Sequence, residues 1–313
     1  MRVYYCDHFE LPLPTGHRFP IGKYRLTREL VAAELGRHIQ LEVADAPSYE
    51  QLARVHHRDY LQRVMQGQLS ELEQRRIGFP WSEKMVQRSL RSTGATLAAA
   101  KAALSDGIAV HLSGGTHHAF ADSGQGFCVF NDVAVAAMEL LDVAQSTRIL
   151  VLDLDVHQGN GTASIFANEP RVTTVSMHGD KNFPYQKTDG DIDIPLPDGT
   201  DDDLYQTHLR ETLDDKLELE EFDFAFFIAG ADPYEGDRMG RLSLSQRGLE
   251  QRDQLVFSKL ANQEIPCAVV MGGGYAEIEA VARIHANTVG AALAHFQRIS
   301  AAWPKTSHHL KNH

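Results

Sequence analysis

The chain has 313 residues, 43% hydrophobic and 23% charged, the balance of an ordinary globular protein able to bury a sizeable core. Its 30 Lys and Arg face 42 Asp and Glu, a net charge of −12 that argues against direct nucleic-acid binding and suits a neutral or cationic substrate. Three widely spaced cysteines, Cys6, Cys128 and Cys267, exclude a disulfide framework and point to a reducing cytoplasm.

In chain order, a strand is expected at about 3–6, in an N-terminal stretch without the continuous apolar core of a signal peptide. Helices follow at 23–36, 48–66 and 83–105, then a strand at 108–112 that leaves through Gly114 and Gly115 to His117 and His118. A helix at 131–144 precedes the run RILVLDLDVH, whose strand at 148–153 ends among Asp153, Asp155 and His157. After a strand at 172–177, a long loop rich in Asp, Gly and Pro runs from Gly179 to Thr200 and is expected to form part of a cleft rim. A helix at 201–219, a strand at 223–229 leading to Asp232, a helix at 245–263 and a strand at 266–271 leading to GGGY (272–275) come next. A last helix at 277–296 gives way to a polar tail from about 300. The most apolar run, FAFFIAGA, is far short of a membrane span. The alternation implies an α/β fold: one domain over 1–313, with a mostly parallel multi-stranded sheet covered by helices on both faces.

Four of these strands end in polar clusters, and ligands of open α/β sheets bind beyond the carboxyl ends of the strands, so the clusters should converge in one cleft. Side chains two apart on a strand share a face, which lets Asp155 and His157 aim at one spot as metal ligands. HisHis occurs three times, but only His117-His118 leaves an apolar strand through a glycine turn. His56-His57 and His308-His309 read as surface residues. Cys128 reads as an inert buried thiol, and Ser113 lacks the nucleophile-elbow pattern. GNGTAS fits no phosphate-loop spacing.

GGTHHAF (114–120), GFCVFND (126–132), DLDVHQGNGT (153–162), GADPYEGD (230–237) and GGGY (272–275), with HRFPIGKY (17–24), resemble the zinc-dependent histone deacetylase family of the arginase–deacetylase superfamily, most closely its class IV-type bacterial members. The resemblance implies Asp155, His157 and Asp232 as zinc ligands, with iron(II) as an alternative. It further implies His118 as general base and acid, His117 as its partner on the leaving-group side, and Asp153 hydrogen-bonded to His117. Tyr275 would polarise the carbonyl, and Asn160, where many relatives carry Asp, would orient His118. Gly126, Phe127, Phe183 and Met239 would wall an acyl-lysine tunnel, and Asp153 and Ser176 would serve a structural potassium ion.

The implied reaction is hydrolysis of an acylated lysine in a protein or peptide, or of an acetylated polyamine. A two-manganese arginase-like site needs a second acid near Asp232, and none stands two positions away. A non-catalytic binding module would be expected to have lost a ligand, His118 or Tyr275, and all are present. Asp237 reads as structural.

Overall fold

The computed structural model describes residues 1–302; the polar tail past Ala302, with His308-His309, lies outside the described residues. Eight strands form one sheet: β1 (Arg2–Tyr4), β2 (Gln40–Glu42), β3 (Ile108–His111), β4 (Ile149–Asp153), β5 (Val172–Gly179), β6 (Ile192–Leu196), β7 (Phe224–Ile228) and β8 (Cys267–Val270). Their order is β2-β1-β3-β8-β7-β4-β5-β6, and every pairing is parallel.

The central strands are buried on both faces, which is why they read as unbroken apolar runs instead of alternating ones. Alternate residues of β4 serve different cores. Leu150 and Leu152 join Phe227 and Val269 under α1 (Gly22–Leu35), α8 (Asp202–Glu211), α9 (Gln246–Asn262) and α10 (Ile278–Ala302). Ile149 and Val151 join Phe226 and Val270 under α5 (Glu83–Asp106) and α6 (Asp132–Asp142). Each such side chain contributes about 1.5–3 kcal/mol by leaving water, so cutting Leu152 to Ala would cost about 2–5 kcal/mol.

The helix expected at 48–66 is instead two, α2 (Tyr49–Ala53) and α3 (Arg58–Met65). The break turns His56 inward, against the surface reading of His56-His57: His56 is 1% exposed, and only His57 is on the surface. His56 Nδ1 meets the Phe120 carbonyl at 3.0 Å and its Nε2 accepts from the Asn131 amide at 3.0 Å, so a polar ring satisfied on both nitrogens can be buried. The helix α4 (Glu71–Ile77) was not anticipated, although Ser70 and Glu73 form a capping box that the spelling S-x-x-E announces. A short α7 (Asn160–Phe166) follows the DLDVHQG segment, and the loop 179–200 contains the edge strand β6. The helix expected at 201–219 ends at Glu211 and gives way to a π turn over Thr212–Lys216. Among the described residues no helix is long and apolar enough to cross a membrane.

Candidate active site

The four polar strand exits belong to four adjacent strands, β3-β8-β7-β4, so their carboxyl ends deliver side chains to one place. Asp153 is the last residue of β4, and Asp155 and His157 lie past the strand end in a bend. A turn therefore brings that pair together, where the sequence pattern suggested a shared strand face. Asp153 Oδ1 accepts the Asp155 amide at 3.1 Å, and Asp155 Oδ1 accepts the His157 amide at 2.9 Å, which folds the segment back on itself. Past β7, Asp232 Oδ1 takes the Val156 amide at 3.0 Å. The buried guanidinium of Arg252 binds the carbonyls of Leu154 (3.3 Å) and Gly230 (2.6 Å), tying the segment of Asp155 and His157 to that of Asp232.

As a result Asp155, His157 and Asp232 are all buried and offer one ligand atom each within 4.8 Å of one another. The Nδ1 of His157 sits 3.0 Å from Asp155 Oδ1 and 3.1 Å from Asp232 Oδ2. Burial and the charge of Asp155 push the Asp232 carboxyl up to about 6. Two carboxylates crowded in a dry site call for a cation between them, and carboxylate plus imidazole is a donor set that zinc, iron(II) or cobalt(II) accepts. The residues fit such an ion. Among the described residues this is the one cluster of its kind.

The turn that carries the histidine pair is fixed by Asp132, which accepts the Gly115 amide (3.1 Å), the Thr116 amide (2.8 Å) and the Thr116 hydroxyl (2.6 Å). His117 donates from Nδ1 to Asp153 at 2.6 Å, and His118 donates from Nδ1 to the amide oxygen of Asn160 at 2.8 Å. Adjacent rings thus have partners of different charge. Burial alone would lower His117, but Asp153 and Asp155 outweigh it and raise the imidazole to about 9. His118 is driven well below 6.5 by burial first and then by the positive charge of His117. At neutral pH the first ring is an imidazolium and the second is neutral, with the lone pair of Nε2 free.

Tyr275 stands 6.0 Å from His157, ring centre to ring centre, and its phenol is pushed well above 10 by burial and by Asp232 and Asp155, so it remains a proton donor. Its amide donates to Asp237 Oδ2 at 2.6 Å, while Asp237 Oδ1 accepts the Met239 and Gly240 amides at 2.8 and 2.9 Å. Asp237 is a brace for the loop. Gly273, at φ +39°, has no room for a Cβ because the Asp232 carboxylate lies there.

A cavity of about 410 Å³ is lined by His118, His157 and Tyr275, and by Gly126, Phe127, Phe183 and Met239. Gly126 (φ +56°) lets the wall pass close to His118, since a Cβ there would meet His118 Cδ2 at 2.6 Å. Cys128 is buried with its thiol pushed up by burial, and Ser113 is buried against His111 Nε2 at 2.8 Å. Neither lines this cavity. Asp153 and Ser176 are register partners on β4 and β5, and both line a void of about 10 Å³. Ser176 Oγ faces His178 Nδ1 at 3.0 Å.

One residue of the site escaped the sequence reading. Lys23, 1% exposed, donates its ammonium to the carbonyls of Gly273 and of Gly274 (3.1 Å) and lies 5.2 Å from the Tyr275 ring centre. Burial lowers it to about 8 against the pull of Asp232, Asp237 and Asp155. Its only sequence signal was a lysine among apolar residues in HRFPIGKY.

Residues 17–292 match the family model described as the histone deacetylase domain. The chain is 43% identical over 276 residues to an uncharacterized protein of Picosynechococcus sp., covering 88% of this chain and 92% of that one. It is 30% identical over 210 residues to histone deacetylase 2 of Arabidopsis thaliana, with 66% of this chain and 54% of that protein covered. With histone deacetylase 1 of Homo sapiens it shares 28% identity over 285 residues, 83% of this chain and 58% of the human one. The match spans little more than half the length of these two relatives.

Proposed function

The chain belongs to the histone deacetylase family, and from that premise we propose that it is a metal-dependent amidohydrolase removing acetyl or longer acyl groups from lysine side chains. The observation that carries the reading is the buried Asp155–His157–Asp232 cluster beside a cavity that a neutral imidazole and a protonated phenol also line. Asp155, His157 and Asp232 would hold one zinc ion, or iron(II). When bound, such an ion supplies a Lewis acid and lowers the pKa of a water toward 7.

The protein's own groups do the rest. His118, neutral and presenting Nε2, takes the proton of the attacking water and returns it to the departing lysine amine, as a general base and then acid must. Asn160 fixes the tautomer through Nδ1. His117, charged and held by Asp153, places positive charge beside the leaving group. The Tyr275 phenol donates to the developing oxyanion, a contribution of about 3–4 kcal/mol in comparable sites. Gly126, Phe127, Phe183 and Met239 wall the channel for the aliphatic arm and keep water away from it. Asp153 and Ser176, beside their small void, are proposed as side-chain partners of a structural potassium ion. Three free buried cysteines support a reducing, cytoplasmic setting.

The test is to strip the purified protein with a chelator and restore it with zinc or iron(II). Hydrolysis of acetyl-lysine peptides, fatty-acyl-lysine peptides and an acetylated polyamine is then measured side by side. The reading expects activity that follows about one metal ion per chain. Two manganese ions per chain, or metal-independent hydrolysis, would overturn it.

A further inference from the structure

Resting on the amidohydrolase reading, we propose that the mouth of the cavity selects acyl-lysines whose neighbouring residues carry carboxylates and turns away polycationic amines. The charged residues that line the outer part of the cavity are Arg18, Arg75 and Arg76. A groove of about 480 Å³ adjoins it, sharing Arg76, Phe183 and Tyr185, and adds Lys187. Neither is lined by a single Asp or Glu, in a chain whose 42 acids outnumber its 30 bases.

These cations come from three separate segments: the loop before α1, the last turn of α4, and the loop after β5. A basic last turn complements the helix dipole and could account for Arg75 and Arg76, but not for Arg18 or Lys187. Arg18 and Arg76 are exposed, and neither side chain has a hydrogen bond or ion pair among the described residues. Arg75 reaches only Glu71, at 3.4 Å on the surface. Lys187 is held in place by the carbonyls of Asp180, Asn182 and Pro184, and it makes no ion pair among the described residues, although Asp180 and Asp193 attract it. Other acids of this region have partners of their own: Asp237 takes backbone amides, Glu73 takes Arg63 and Ser70, and Asp193, which attracts Lys187, takes the Gln158 side chain and the Gly190 amide. Tyr185, 88% exposed on the same rim, adds an aromatic face for a peptide backbone.

The net charge of −12 suggested a neutral or cationic substrate, and the mouth carries the opposite sign. The local field prevails, because charges farther than about 8 Å are largely screened at physiological ionic strength. Guanidinium groups free to fork onto a carboxylate also give direction as well as charge. An acetylated polyamine must bring its remaining ammonium groups past the three arginines, beside Lys187 in the adjoining groove, with no carboxylate in either lining to receive them.

The experiment uses the metal-loaded protein and three peptides of equal length with the same acyl-lysine, flanked by Glu, Gln or Lys, together with an acetylated polyamine. At low salt kcat/KM should fall in the order Glu, Gln, Lys by about tenfold or more in total, with the polyamine poorest, and the spread should shrink in roughly 0.5 M salt. The double variant Arg18→Glu/Arg76→Glu should reverse the order. Each comparison is a ratio within one protein, so partial misfolding of a variant cancels. An order within twofold, one the variant leaves alone, or a preference for the polyamine would overturn the inference while leaving the hydrolase reading standing. Hydrolysis of none of the substrates would overturn both.

Discussion

The imidazole of His118 donates from Nδ1 to the amide oxygen of Asn160 at 2.8 Å, while its neighbour in sequence, His117, donates to the carboxylate of Asp153 at 2.6 Å. One ring is therefore oriented by a neutral group and the next by a charged one. In the proposed mechanism the difference divides their work: an acceptor of protons at His118, a fixed positive charge at His117.

Replacing Asn160 with Asp should narrow that division. A carboxylate favours the imidazolium, so the His118 pKa should rise, each unit corresponding to about 1.4 kcal/mol. Because the neutral ring is the active form, the acidic limb of the pH–rate profile should move to higher pH. Asn160→Leu frees the ring and should lose activity at every pH. An unmoved limb in Asn160→Asp would show that His118 is not the base.

Tyr275→Phe removes one hydroxyl and no ligand. Turnover should drop by roughly 10²-fold or more, with metal content unchanged by elemental analysis. Wild-type turnover in this variant would remove the oxyanion role.

His56 links acid sensitivity to the same region. Burial lowers it to about 4 from an unfolded value near 6.5, so its contribution to stability is present above pH 6.5 and is lost as pH falls toward 4. Protonation also removes the Nε2 acceptor of the Asn131 amide, and the Asn131 side chain holds the Ala119 carbonyl just after His118. Denaturant titrations of the wild type should show stability falling by a few kcal/mol over that window. His56→Gln should be weaker at neutral pH but flatter through it. Equal slopes for the two proteins would refute the linkage.

The contrast between His56 and Lys23 shows what the sequence could carry. The parallel sheet and the convergence of four strand exits were legible because apolar runs ending in Asp, His or Gly are local patterns. The meeting of Asp155, His157 and Asp232 was legible for the same reason, although a bend and not a strand face joins Asp155 to His157. His56 looked like surface because its partners, Phe120 and Asn131, are more than 60 residues away. Lys23 reaches across 250 residues to Gly273. The charge of the mouth was hidden likewise, since Arg18, Arg75, Arg76 and Lys187 meet only in the folded chain and oppose the average composition.

Lys23 supports the last expectation. The GGGY loop has little side-chain packing to hold it, and Gly273 and Gly274 both adopt positive φ. The Lys23 ammonium on their two carbonyls, together with the Asp237 brace on the Tyr275 amide, orients the loop, and with it the Tyr275 hydroxyl. Lys23→Met fills the same volume but leaves two carbonyls without a donor, a cost of about 1–3 kcal/mol for each buried group. A phenol displaced by an ångström forfeits much of its effect, so kcat should fall by roughly 10- to 10²-fold. KM and metal content should change little, because Lys23 touches neither the proposed substrate channel nor a ligand. Lys23→Arg, which can still reach both carbonyls, should recover part of the loss. Combined with Tyr275→Phe, the Lys23→Met change should add almost nothing, since the group it positions is already gone. Full additivity of the two would mean that Lys23 acts on something other than Tyr275.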